Sequence, residues 1–127
     1  MAILYKPSVI KSHFDPSAKK RYIARPCKTS NINTYDLSRI ISERSTLSRA
    51  DIIGVLYALE EVIPELLLDN KSVHLKPLGI FSVSFKSDVE DEETGITQNS
   101  VKDIKLQFRP DSYLKSKLKN ATFKKSK

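Results

Sequence analysis

Nothing in this chain constrains its fold more than the residues from Leu47 to Asp69. Ser48 is followed three residues on by Asp51, the spacing of a capping box, and Leu47 and Ile52 stand where a hydrophobic staple would clamp the same turn. Ile53, Leu56, Leu59, Val62, Ile63, Leu66 and Leu67 then recur at helical spacing. The resulting stripe is wide enough to face more than one neighbour. A chain of 127 residues can bury a core alone, but a protomer that shares its core with a second chain also fits. Pro64 removes the bond to the Glu60 carbonyl and predicts a kink, and Asp69-Asn70-Lys71 ends the helix.

The flanking segments read as follows. Thr34 or Asn33 caps an earlier helix running to about Arg44, with Leu37, Ile40 and Ile41 on its buried stripe. Ser72 to Phe85 alternates as a strand pair, turned at Pro77-Leu78-Gly79. Ser87 to Gln98 is a polar, acidic arm with Thr94-Gly95 as its turn. Val101, Ile104, Leu106 and Phe108 include a second run of period two. Pro110 suits the first position of a short helix and Asp111 its first turn, with Tyr113, Leu114 and Leu118 apolar and Lys115, Lys117 and Lys119 toward the end that favours cations. At the N-terminus residues 3–11 and 20–27 alternate like strands, with Phe14–Lys20 as a basic tip, so a hairpin is expected there. Pro26 to Asn33 is a linker. The end of the chain reads as a basic tail.

Charge narrows the function. The net charge of +7 is uneven. Residues 1–30 hold seven Lys/Arg against Asp15, residues 109–127 hold seven against Asp111, and residues 31–108 hold eight against thirteen acids. Two basic ends around an acidic middle suit a polyanion such as nucleic acid. The N-terminus lacks the apolar run of a signal peptide, and no stretch is long and apolar enough to span a bilayer, so a cytoplasmic protein is expected. His13 and His74 stand alone, outside any metal-ligand or triad spacing, and His74 reads as a solvent-facing sheet residue. The single Cys27 forms no framework and reads as a linker thiol. The acidic string 88–93 lacks the ligand order of a calcium loop, and no glycine-rich phosphate loop is present. No enzyme activity, cofactor, metal or small-molecule substrate is expected.

The residues at the joints carry a resemblance. Leu47-Ser48-Arg49-Ala50-Asp51 opens the second helix, Gly79-Ile80-Phe81 follows the first strand, and Phe108-Arg109-Pro110-Asp111-Ser112-Tyr113-Leu114-Lys115 leads into the last helix. In that order these motifs resemble the HU / integration host factor family of bacterial histone-like proteins, in particular an HU-related branch with an N-terminal extension. The resemblance implies an α+β fold built as an intertwined homodimer. It has an N-terminal helix pair, a three-stranded antiparallel sheet with a β-arm and a short C-terminal helix, here with an added N-terminal β-hairpin. Residues 1–32 would be the basic extension and linker, and residues 33–127 the HU-like domain. Leu78, Phe81 and Phe108 would form the shared dimer core. Lys76, Lys86, Lys105, Arg109, Lys115 and Lys119 would face DNA phosphates, in a protein localised to the nucleoid.

In the family a proline at the arm tip wedges between base steps. Here Glu92 stands at that position within Glu90-Asp91-Glu92-Glu93, so binding without intercalation is expected. Two functions follow from the sequence. The first is a sequence-tolerant, chromosome-organising binder of double-stranded DNA. The second is a protein-interaction module that keeps the fold but has little DNA affinity.

Overall fold

The computed structural model describes residues 1–10, 17, 19–27 and 30–127. The chain is mixed α+β, and its described residues form two compact units, Ile32–Ser116 and the termini Met1–Asn31 with Lys117–Lys127.

The central unit begins with two helices, α1 (Thr34–Glu43) and α2 (Arg49–Leu68). Asn33 caps α1 through a full capping box. The Asp36 backbone N–H donates to Asn33 Oδ1 at 2.9 Å, and the Asn33 N–H donates to Asp36 Oδ2 at 3.4 Å. At α2 the Asp51 N–H donates to Ser48 Oγ at 3.1 Å, which is half of the expected box. The reciprocal bond to the Ser48 backbone is not made among the described residues. Pro64 lies inside α2. The helix ends where Asn70 takes a left-handed conformation (φ 61°) and the Leu66 carbonyl accepts from both the Asp69 and the Lys71 N–H, each at 3.1 Å.

A sheet follows in the order β3 (Val73–Leu75), β4 (Gly79–Ser87) and β5 (Val101–Pro110), antiparallel throughout. Gly79 lies opposite Pro110. A Cβ on Gly79 would stand 2.5 Å from the Arg109 carbonyl oxygen and 2.7 Å from Cζ of Phe108. Its φ is not positive, so close approach of a backbone and a ring is what requires glycine here. Gly79→Ala is therefore expected to cost about 1–3 kcal/mol through forced displacement of β5. A urea midpoint equal to that of the parent would sink this.

The last helix, α3 (Ser112–Lys119), starts two residues later than Pro110 suggests. Pro110 stays in the ladder opposite Gly79, at a strand end where its missing N–H costs little. The Asp111 N–H is taken by the Leu78 carbonyl at 2.8 Å, and its carboxylate bonds to His74 Nε2 at 2.7 Å. His74 is thus tied to the start of α3 rather than simply facing solvent.

The terminal unit is a second sheet, ordered β2 (Arg21–Pro26), β1 (Ala2–Ile10) and β6 (Thr122–Lys125). β1 pairs antiparallel with β2 and parallel with β6. The stretch read as a basic tail therefore supplies a strand. Cys27 continues the β1–β2 pairing, its N–H donating to the Leu4 carbonyl at 3.0 Å. His13, Lys28 and most of the expected tip Phe14–Lys20 lie outside the described residues.

Candidate nucleic-acid interface

Side chains alternate across a strand, and residues paired across strands share a face. From Gly79 to Ser84 the central sheet sorts cleanly. Phe81 opposite Phe108 and Val83 opposite Leu106 share one face, and Ile80 opposite Arg109, Ser82 opposite Gln107 and Ser84 opposite Lys105 share the other. The Phe81 and Phe108 rings lie 4.9 Å apart, tilted by 47°.

Beyond Ser84 the register shifts. Lys86 pairs with Lys102, so β5 spends two residues, Asp103 and Ile104, where β4 spends one, Phe85. Asp103 absorbs the extra residue with φ 55°, a left-handed conformation that Asp tolerates better than most side chains. The bulge inverts the parity of β5. Without it Lys102 would share the face of Phe108 and Leu106. With it, Lys102 joins Lys86, Lys105 and Arg109, and Val101 returns to the apolar side. One face of the sheet thus carries four exposed cations in a row, with serines and Gln107 between them.

Lys86, Lys105 and Arg109 were the sheet cations expected from the sequence, and the register brings them together. Lys102 was missed. Its signal was the three-residue step from Val101 to Ile104, which breaks strict alternation. Lys76 lies on the turn after β3 and Lys115 on α3, both exposed and off the ladder. Lys119, the last residue of α3, belongs to the terminal unit.

The arm closes compactly. The Asp88 N–H donates to the Ser100 carbonyl at 2.8 Å, and short 3-10 turns at Glu93–Gly95 and Gln98–Ser100 fill the space between β4 and β5. Ser100 is buried and accepts the Thr97 N–H at 3.1 Å. Glu90, Asp91, Glu92 and Glu93 are all exposed, and Asp88 contacts Lys102 Nζ at 3.1 Å.

The opposite face of the sheet and α2 are poorly covered within one chain. Ile52 and Leu67 are the buried hydrophobic residues among those described, while Phe108, Leu78, Phe85, Ile104 and Leu106 are 45–64% exposed. The Tyr57 hydroxyl on α2 is held above the usual phenol range, first by its hydrogen bond with the Tyr35 side chain. Among the described residues no group of three or more His, Cys, Asp or Glu could hold a metal ion, and no helix is long and apolar enough to cross a membrane.

A helix pair, a three-stranded sheet bearing a short arm, and a following helix together define an HU-like architecture. The family described as an HU domain fused to wHTH, Ig, or glycine-rich motif matches residues 1–125, and the chain belongs to this family, HU-HIG. Among solved structures it is similar to a candidate bacterial DNA-binding protein from Bacteroides vulgatus, at 15% identity and a TM-score of 0.65. That match covers 97% of this chain and 48% of the other, so this chain spans about half the length of that relative. It is also similar to HU in an Anabaena HU–DNA cocrystal structure, at 18% identity and a TM-score of 0.54, over 69% of this chain and 98% of the other. No curated protein matches the chain.

Proposed function

We propose that the protein is a sequence-tolerant binder of double-stranded DNA, nucleoid-associated, that acts as a homodimer and grips phosphates through the basic face of its central sheet. The observation that carries this reading is the row of Lys86, Lys102, Lys105 and Arg109 on one face. Lys86 and Lys102 stand directly opposite each other, a like-charge pair that Asp88, 3.1 Å from Lys102 Nζ, relieves in part and a bound phosphate would relieve further. Membership of an HU family and the fold shared with an HU–DNA complex supply the polyanion. Lys76, Lys115 and Lys119 extend the same role beyond the sheet.

A second copy is the natural cover for the apolar side. With two buried hydrophobic side chains among its described residues, one chain holds too little core to be stable alone. Leu78, Phe81 and Phe108 are the centre of the shared core; the HU-like domain starts near residue 33, and the chain's last residues, which supply β6, complete the sheet of the N-terminal extension, residues 1–32.

Proline intercalation is not used. The resemblance puts Glu92 where the wedge proline would be, it is exposed among like charges, and a carboxylate neither unstacks bases nor approaches phosphates favourably. Changing Glu90, Asp91, Glu92 and Glu93 together to their amides is expected to strengthen binding severalfold at moderate salt, where repulsion acts over roughly 8–10 Å. Weaker binding by that variant in anisotropy titrations would mean that the tip makes favourable contacts.

The test of the function itself is a gel-shift titration of the full chain with random-sequence duplex at 50 and 200 mM salt. Four or more phosphate contacts should weaken affinity at least a hundredfold between the two. Absence of any shift at low salt would favour the protein-interaction reading instead.

A further inference from the structure

The positive charge of the protein is concentrated in the terminal unit rather than in the unit that holds the central sheet. Met1–Asn31 and Lys117–Lys127 together hold twelve Lys/Arg against Asp15 alone, while residues 32–116 hold ten against fourteen acids. The unit with the HU-like sheet is net negative, and the terminal unit accounts for the whole positive balance.

Register sorts this second sheet into two unlike faces. Ile3, Tyr5, Val9, Tyr22 and Phe123 share one, with Lys125 opposite Tyr5 as its cation. Lys6 opposite Arg25, Ile10 opposite Arg21 and Leu4 opposite Lys124 share the other. The latter face carries four exposed cations drawn from all three strands. At strand spacings of about 3.4 Å per residue and 4.8 Å between strands, they cover roughly 20 by 10 Å. Lys6 and Arg25 are directly opposed, which is unfavourable without an anion. Among the described residues no carboxylate is paired with Lys6, Arg21, Arg25 or Lys124. A surface evolved only for solubility would intersperse both signs.

We infer that the β2–β1–β6 sheet is a second DNA-contacting surface, which holds the duplex backbone through Lys6, Arg21, Arg25 and Lys124. It rests on the proposed function only for the identity of the polyanion. The parallel strand β6 is part of the device, because it brings Lys124 from the far end of the chain beside β1. Leu4, Ile10 and Ile23 lie between the cations, where sugars rather than phosphates would meet them.

The experiment uses the full chain and a labelled random-sequence duplex, with anisotropy titrations from 50 to 200 mM salt. The terminal variant Lys6→Gln/Arg25→Gln/Lys124→Gln is compared with the central variant Lys102→Gln/Lys105→Gln/Arg109→Gln. A charge-keeping variant, Lys6→Arg/Arg25→Lys/Lys124→Arg, controls for the fold, with circular dichroism on each. The terminal variant is expected to lower the salt slope by about two to three units and to weaken binding at least tenfold to every sequence, while the charge-keeping variant matches the parent. A folded terminal variant with the parent's slope overturns the inference and leaves the central-sheet reading standing. A central variant that binds like the parent while the terminal variant fails overturns the central-sheet reading and supports this one. Binding to anionic phosphatidylserine vesicles that excess duplex does not displace, and that the terminal variant loses, would assign the face to membranes and also overturn the inference.

Discussion

Phe81→Ala is expected to destabilise the protein by on the order of 3–5 kcal/mol, the cost of emptying a large buried aromatic site. Phe81 is half-buried within one chain and packs at 4.9 Å on Phe108, a tilted pair worth about 0.5–1.5 kcal/mol beyond area burial. In the proposed homodimer the larger share of the loss would come from the second copy. Phe108 and Leu78 are each nearly half exposed in a single chain, and a dimer that removes them from water makes Phe81 the centre of a joint core. Unfolding should then depend on protein concentration, because a partner that binds the folded state raises its stability by mass action. Urea denaturation at two concentrations a hundredfold apart, for parent and variant, checks both points. A loss under 1 kcal/mol, or a folded monomer in sedimentation at micromolar concentration, would remove the shared core from the reading.

Local signals carried some elements and not others. Both helices of the central unit were legible because their first turns are encoded within four residues, Asn33 with Asp36 and Ser48 with Asp51. The sequence leaves the cap of α1 open between Thr34 and Asn33, since both are good caps and only the backbone conformation of Asn33 decides it. The sheet cations were legible by parity as far as Lys105. Lys102 was not, because a single residue in a left-handed conformation inverts the face of everything before it. β6 was invisible for another reason. Thr122-Phe123-Lys124-Lys125 has one apolar residue, and the carbonyls and N–H groups that hold it belong to β1, more than a hundred residues away. The start of α3 was misplaced because the partners of Asp111, the Leu78 carbonyl and His74, are also distant in sequence.

Replacing Lys102, Lys105 and Arg109 together by Gln should weaken binding to random duplex by two to three orders of magnitude near 0.1 M salt. Each phosphate contact releases about 0.9 of a counterion, so at 0.1 M salt it contributes close to a factor of eight, and three contacts multiply to several hundred. The effect should be the same for every duplex sequence, because phosphate contacts position a protein without reading bases. The salt slope should fall by about three units. Lys102 carries a particular signature. Its ammonium lies 3.1 Å from Asp88, so phosphate must compete with that carboxylate, and Lys102→Gln alone should lose less than Lys105→Gln or Arg109→Gln. Adding Asp88→Asn to the parent should raise affinity, yet leave affinity almost unchanged when Lys102 is already Gln. That non-additivity separates a contact through Lys102 from a general change in field, since independent charges would add. If the two substitutions proved additive, Lys102 would not be in the phosphate path, and the bulge at Asp103 would have no bearing on DNA binding.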